Sequence, residues 1–466
     1  MANDRAFLES IIEMPDDDAS RLIYADWLEE RGGDIDKRRA GFIRNDCALA
    51  VAKIYSPEWR QILRKRNEAL YGEKTTETGY RKTFPFEQIK ELLGLDFKVR
   101  SSKTEVEIER GFINGIKMMG TSIADMEKIF KNAPARHLYL GDQRSREIRE
   151  DWFRDLFSRD FFKRVEKVSF NPNELNSYRI IGILANSPQT ACLKHLSDIW
   201  DGGSSIRSLS GSEYIRPTSL EIFGMESDRE IVTLATSSAM ADLRNLRIGF
   251  RGNGDAGLQA LEDSAHISNL NELSIQIPEN SSSQRLVSYI QSDNLGRLKK
   301  LRIICPENHD FGNNVVQAIC SLPELQELDL ASTGINADSI SIISSSEAAN
   351  RLVSLKLPSE VRLNEIGNFE RMSKLEVLSL CCGGDNMDNA LTLADRGLES
   401  LRIVECLIGG FNKNCLIALA ASEKLPRLDT VGERSMERNI DISLYRETYS
   451  QEIEQYKREK LEKKSR

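Results

Sequence analysis

The sequence predicts an α/β solenoid: a parallel β-sheet lining the concave face of a horseshoe, helices on the convex face, and a small α-helical domain in front. Two patterns carry that expectation. In Leu325-Gln326-Glu327-Leu328-Asp329-Leu330 the apolar residues occupy relative positions one, four and six, and this spacing recurs down most of the chain. With position four as a ruler, it falls at Leu138, Val168, Leu196, Leu220, Leu246, Leu273, Leu301, Leu328, Leu355, Leu378, Leu401 and Leu428, at intervals of 23 to 30 residues. Between the motifs, segments such as Val315, Ile319 and Leu322 repeat at helical spacing. Strands pack about 4.8 Å apart and helices about 10 Å apart, so strands on one side and helices on the other bend the stack.

Length and composition agree with an array. At 466 residues the chain would ordinarily hold about three domains. Stacked repeats lengthen one core without thickening it, so length stops counting domains. A net charge of −8 argues against bulk electrostatic capture of nucleic acid or anionic membrane. No apolar run approaches the roughly 20 residues needed to span a bilayer, and the polar start is unlike a secretory leader. The eight cysteines show no CxxC pairing, which suits reduced thiols and a cytoplasmic protein.

At the N-terminus, Phe7, Leu8, Ile11 and Ile12 share a helical face that Pro15 ends. Asp16, Asp17 and Asp18 then read as a helix N-cap, because three consecutive carboxylates cannot converge on one ion. The second helix is expected over 19–31, with Leu22, Ile23, Trp27 and Leu28 on its buried side and Gly32-Gly33 closing it. A third is expected over 38–54 and a fourth over 57–71, after a basic linker at 33–39. Arg21, Asp26 and Arg44 are expected to form one ion-paired cluster.

Pro15-Asp16-Asp17-Asp18, Arg21-Leu22-Ile23-Tyr24-Ala25-Asp26-Trp27-Leu28-Glu29-Glu30-Arg31-Gly32 and Gly41-Phe42-Ile43-Arg44 resemble the repeat-companion domain found ahead of leucine-rich repeats in planctomycete and some other bacterial proteins. The resemblance covers roughly the first 50 residues. It implies a domain order and no activity.

Residues 72–85 read as a linker, Phe86 to Leu93 as a short helix, and residues 104–108 as a strand. Asn114-Gly115, flanked by Phe112-Ile113 and Ile116-Lys117-Met118, reads as a two-residue hairpin turn. This segment is expected to cap the first edge of the array. The repeats themselves resemble bacterial leucine-rich repeats with helix-bearing convex units, similar in unit length to the ribonuclease-inhibitor class. The first units are weaker, and Asp198 stands where an apolar residue is expected. Thr333 and Cys406 take the place of the usual turn asparagine. The resulting organisation is a companion domain at 1–71, a linker and cap at 72–118, repeats at 119–431, and a charged helical tail at 432–466.

Strand side chains alternate, so if positions four and six face the core, positions three, five and seven face the concave side. Position five reads Tyr139, Ser169, Ser197, Glu221, Arg247, Ser274, Arg302, Asp329, Lys356, Ser379, Arg402 and Asp429. Position three adds His137, Lys167, His195, Asn245, Glu272, Lys300 and Glu327, and Phe223 and Ile304 fall at position seven. Arg247, Lys300, Arg302, Lys356 and Arg402 make the middle and distal face locally basic, interrupted by Glu327 and Asp329. Tyr139, Glu221, Phe223 and these charged residues are the candidate partner-binding set.

No catalytic, metal or cofactor site is expected. The four histidines lack metal spacing, no GxSxG elbow or Walker loop occurs, and Gly252-Asn253-Gly254 lacks the context of a nucleotide fingerprint. The tail from Ser443 has a thin stripe of Leu444, Tyr445, Tyr449, Ile453, Tyr456 and Leu461. Its inner turns are expected to cover the last repeat, and 457–466 to fray. The expected function is non-enzymatic recognition of a protein partner. The alternative is a regulatory subunit, inhibitor, sensor or cleavable target within a protease- or nuclease-based enzyme system.

Overall fold

The computed structural model describes residues 2–54, 56–71, 82–95, 98, 104–118, 122–140, 150–171, 177–200, 202–250, 252, 254–278, 280–305, 311–358, 361, 363, 371–380, 387–406, 411–433 and 438–464. Residues 72–81 of the expected linker, Asn253, His309 and Cys381-Cys382 lie outside them. The chain divides into two compact units, residues 1–221 and 222–466.

The first unit opens with α1 (Ala2–Glu13), α2 (Asp18–Arg31), α3 (Asp34–Val51) and α4 (Pro57–Tyr71). There follow β1 (Thr83–Pro85), α5 (Phe86–Ile89), β2 (Glu105–Glu109) and β3 (Phe112–Met118). Helices and strands then alternate through α6 (Ile123–Asn132), β4 (His137–Leu140), α7 (Glu150–Ser158), β5 (Lys167–Phe170), α8 (Ser177–Ala185), β6 (His195–Ile199) and α9 (Gly202–Ser210). The division falls within β7 (Ser219–Met225). The second unit continues with α10 (Asp228–Ala235), β8 (Asn245–Phe250), α11 (Asp255–Glu262), β9 (Glu272–Gln276), α12 (Ser283–Ile290), β10 (Lys300–Ile304) and α13 (Asn313–Ser321). Next come β11 (Glu327–Ser332), α14 (Ala337–Ser345), β12 (Ser354–Leu357), β13 (Val377–Leu380), α15 (Met387–Arg396), β14 (Ile403–Cys406) and α16 (Lys413–Ala421). The unit ends with β15 (Thr430–Glu433), β16 (Arg438–Asp441), α17 (Ile442–Thr448) and α18 (Ser450–Lys464).

Strands pair in chain order, parallel from β3 to β6 in the first unit and from β8 to β15 in the second. Antiparallel pairs β1–β2, β2–β3 and β15–β16 lie at the outer ends. This is the leucine-rich-repeat fold: α/β, one strand and usually one helix per repeat. Leu246, Leu273, Leu301, Leu328, Leu355 and Leu378 stand beside one another in register and are buried. Each buried leucine contributes about 1.5–3 kcal/mol relative to exposure. Helix starts are closed locally: Ser282, Asn336 and Asn412 accept hydrogen bonds from the backbone N–H of Arg285, Ser339 and Cys415. Thr333 does its expected turn work, donating to the Leu330 carbonyl at 2.7 Å.

Several expectations are corrected. The hairpin turn is Arg110-Gly111, with φ of 53° and 80°, while Asn114-Gly115 lies inside β3 where the β2–β3 register shifts. Gly111 serves because its φ is positive and because a Cβ there would stand 2.7 Å from Ile43 Cα. Residues 34–39 are helical rather than a linker, since Gly33 starts α3. On α2 the buried residues are Arg21, Tyr24, Ala25 and Leu28, whereas Leu22 and Ile23 are exposed. The core of α1 to α3 consists of Ile11, Tyr24, Leu28 and Ile43 closing over Phe112 of β3, which recruits the helix face that β3 can reach. Arg44 pairs with Asp26 and Glu29, both at 2.6 Å, but Arg21 is elsewhere, donating to the carbonyls of Pro15 and Asp17. Asp17 is the N-cap of α2 as expected, and Asp16 and Asp18 instead pair with Arg136, just before β4, and Arg110, in the β2–β3 turn.

In the distal repeats, Val404 rather than Leu401 aligns with Leu378, and Val431 aligns with Val404. Leu398, Leu401 and Val404 are each three apart, so the motif admits two frames. The frame that seats Val404 and Cys406 in the core prevails, with both fully buried. Cys406 is therefore at position six, beside Leu380, and not in the turn. Asp198 takes a positive φ of 62° and lets Ile199 occupy the core in its place. The array continues past Leu428 through β15 and β16 before α17 and α18. Residues 457–464 are helical, and Lys460 of α18 pairs with Asp395 of α15. Ile453 is buried and Arg446 donates to the Ala420 carbonyl, so the tail does cover the last helix.

Candidate functional site

Register decides which side chains stand together. On the second unit, position three runs Asn245, Glu272, Lys300, Glu327 and Ser354, and position five runs Arg247, Ser274, Arg302, Asp329, Lys356, Ser379 and Glu405. Lys300 lies 3.0 Å from Glu272 and 3.2 Å from Glu327 on the two flanking strands. Asp329 lies 3.6 Å from Arg302 and 3.8 Å from Lys356. Ser379 donates to Glu405 at 2.7 Å. Burial alone would lower the Lys300 pKa, but hydrogen bonds to both glutamates outweigh it and hold the ammonium above the ordinary lysine value.

The run that reads as basic along the sequence is thus charge-balanced across the strands. Lys300, Arg302 and Lys356 are met by Glu272, Glu327 and Asp329. Arg247 stacks over Phe223, with the guanidinium 5.4 Å from the ring centre. Gly249 makes room for that contact, because a Cβ there would stand 2.8 Å from the Phe223 ring.

Arg402 falls outside the column, a consequence of the distal frame. It is nearly buried, bonded to Asp429 at 2.9 Å and 3.9 Å from Glu376. Glu405 takes its place, a residue that the sequence frame passed over.

On the first unit, Tyr139 stands at position five with the Lys117 ammonium 5.5 Å from its ring centre. Glu221 is half-buried on β7. Beside Tyr139 lies a hydrogen-bonded row in which His137, Ser169 and Ser197, placed on this face by the sequence, meet Glu107, which sequence reading missed. His137 Nδ1 lies 2.7 Å from Glu107 Oε2, and His137 Nε2 lies 3.0 Å from Ser169 Oγ. Ser197 Oγ donates to Ser169 Oγ at 2.8 Å. Glu107 went unnoticed because it lies in the antiparallel cap, outside the repeat ruler. Hydrogen bonding by His137 holds its carboxyl below the usual glutamate value, against the opposing effect of burial.

Among the described residues no group of three potential ligands is arranged to hold a metal ion, and no helix is long and apolar enough to cross a membrane.

No family model matches the chain, and no curated protein matches it. Among solved structures it is similar to the yeast Rad7 and Elc1 complex, at 16% identity over 78% of this chain and 90% of that one, with a TM-score of 0.48. It is also similar to the leucine-rich-repeat protein LegL7 from Legionella pneumophila, at 14% identity over 72% and 98%, TM-score 0.38. A third likeness is an internalin from Listeria monocytogenes, at 12% identity over 75% and 93%, TM-score 0.32.

Proposed function

We propose that the chain is a protein-recognition scaffold and that the strand face of the second unit, from Arg247 to Lys356, docks a protein partner. The observation that carries this reading is the cross-strand pairing of the face. Lys300, Arg302, Asp329 and Lys356 are each held by a neighbour, so less side-chain entropy remains to be lost on docking than for free long side chains. Arg247 on Phe223 supplies an aromatic and cationic anchor of the kind that dominates interface energetics. Because the face carries paired charges of both signs, the fitting partner is a mixed-charge protein surface, not an acidic polymer; nucleic acid would demand a larger net positive charge. Binding at this face requires no catalysis.

In the same reading, residues 1–71 are the repeat-companion domain of a bacterial protein, 72–118 the linker and cap, 119–431 the repeats and 432–466 the tail. A cytoplasmic setting fits the buried thiols, since burial pushes Cys305 up to about 12 and leaves it unreactive. The role as a regulatory component of a protease or nuclease system is the second reading, and one stoichiometric enzyme on this face would favour it. The test is capture from the native host, comparing wild type with Arg247→Glu/Arg302→Glu at equal melting temperature. Partner recovery falling at least tenfold supports the proposal, and equal recovery overturns it.

A further inference from the structure

The first unit holds a second constellation, built across four strands and unlike the ion-paired ladder of the second. Glu107 is on β2, His137 on β4, Ser169 on β5 and Ser197 on β6. Glu107 and His137 are separated by β3, and their side chains meet at 2.7 Å by crossing over Gly115. A Cβ at Gly115 would stand 3.0 Å from the Glu107 carboxylate and 3.1 Å from His137 Cβ. Glycine at this place therefore keeps open the path by which the carboxylate reaches the imidazole.

The hydrogen bonds have one consistent direction. The Glu107 carboxylate accepts only, so the proton between the two belongs on His137 Nδ1. In the neutral ring Nε2 is then the acceptor, and it faces the Ser169 hydroxyl at 3.0 Å. Ser197 Oγ has one proton, which the Asp198 carboxylate also faces at 3.3 Å; given to Ser169 Oγ at 2.8 Å, the shorter contact, it leaves the Ser169 proton directed at the imidazole. A hydroxyl facing a histidine whose far nitrogen is fixed by a carboxylate is the arrangement of an activated serine nucleophile, recognised by geometry and not by chain order.

Lys167 lies two residues before Ser169 on the same face of β5, and His195 lies beside Lys167 on β6. Partial burial, reinforced by the Lys167 charge, lowers the His195 pKa and favours the neutral ring, an N–H donor. Ser169 itself is 4% exposed, which admits only a slender group.

We propose that Ser169 is a nucleophile activated by His137 and Glu107, and that the first unit carries an acyl-transfer site for small acyl esters. Ser169 Oγ bonds to the carbonyl carbon while its proton passes to His137 Nε2. The bond from that carbon to the ester oxygen then breaks, and the alcohol leaves with the proton from His137. Water, deprotonated by the same nitrogen, hydrolyses the acyl-serine and restores the hydroxyl.

The experiment treats the full chain with p-nitrophenyl acetate and with methanesulfonyl fluoride, whose transferred groups are small, and locates adducts by peptide mass mapping. The expected result is one adduct, on Ser169, absent from Ser169→Ala. The rate should fall by about 10²- to 10⁴-fold in His137→Gln and also in the isosteric Glu107→Gln, with circular dichroism unchanged. Mapping the wild-type adduct to Ser169 itself keeps the test open if Ser169→Ala misfolds. A wild-type chain left unmodified on Ser169 by both reagents overturns the proposal. So does labelling of Ser169 at the same rate in folded Glu107→Gln.

Discussion

Asp46→Asn is the substitution with the sharpest expected consequence for the fold. Asp46 and Arg66 have side chains 1% and 0% exposed and meet at 2.5 Å, linking α3 to α4. The other Asp46 oxygen accepts the Gly111 N–H at 2.7 Å, tying both helices to the β2–β3 turn. The Arg66 guanidinium also lies 5.3 Å from the Phe42 ring centre and 5.7 Å from that of Phe84. Asparagine keeps the shape but has one acceptor oxygen, so its amide N–H must face either Arg66 or the Gly111 N–H. The buried arginine then loses the Asp46 charge, and removing one partner of a buried pair costs about 3–5 kcal/mol. At 1.36 kcal/mol per decade, local opening of α3 and α4 should rise by roughly 10² to a few times 10³. Because repeat arrays need not unfold in one step, the measurement is native-state hydrogen exchange of α3 and α4 amides. Asp46→Leu/Arg66→Met should lose less than the sum of its two single replacements, since it removes both charges together. A loss under about 1 kcal/mol in Asp46→Asn would refute the reasoning.

Three further outcomes are expected. Gly111→Ala should cost more than the roughly 1–2 kcal/mol of a left-handed residue, because its Cβ would meet Ile43 Cα at 2.7 Å, while Gly41→Ala meets nothing within 4 Å and should stabilise α3 by about 0.5–1 kcal/mol; thermal melts of the two variants check the contrast. Glu107 has a folded pKa below the 4.5 of the free side chain, so its contribution is present above 4.5 and lost as pH falls through the lowered value. Exchange protection of β2 to β4 should accordingly drop on that acid limb, and Glu107→Gln should flatten the drop. Lys300→Ala removes pairs whose partners are all more than 40% exposed, so stability in urea should change by less than about 1 kcal/mol.

The repeat frame was legible because its signal is redundant. Leu246 to Leu378 show the same three-position pattern in six successive strands, and the structure sets them side by side. Legibility ended wherever two frames scored alike. Around Leu398, Leu401 and Val404 the spacing could not choose, and Arg402 was placed in a column that Glu405 occupies. Asn114-Gly115 carried the stronger local turn chemistry, yet Arg110-Gly111 forms the turn, where Gly111 packs against Ile43 of α3. That contact joins residues far apart in the chain, so no local rule holds it. The same holds for α2, whose buried face is set by Phe112. The column of basic residues was also visible, as were Glu327 and Asp329 within it, but which side chains pair across the strands enters only with register. Glu107, His137 and Ser169 are about 30 residues apart in sequence and meet only because each stands on a different strand.

The scaffold reading is tested most directly by asking which face touches the partner. A photo-crosslinking residue replaces Ser274, in the position-five column between Arg247 and Arg302, or Gln317, exposed on helix α13. Cells of the native host are irradiated, and adducts are recovered on the tagged chain. The expected result is a discrete partner adduct from position 274, lost when Arg247→Glu/Arg302→Glu is added, and none from position 317. Equal adducts from both positions, or adducts from position 317 alone, would contradict recognition by the strand face.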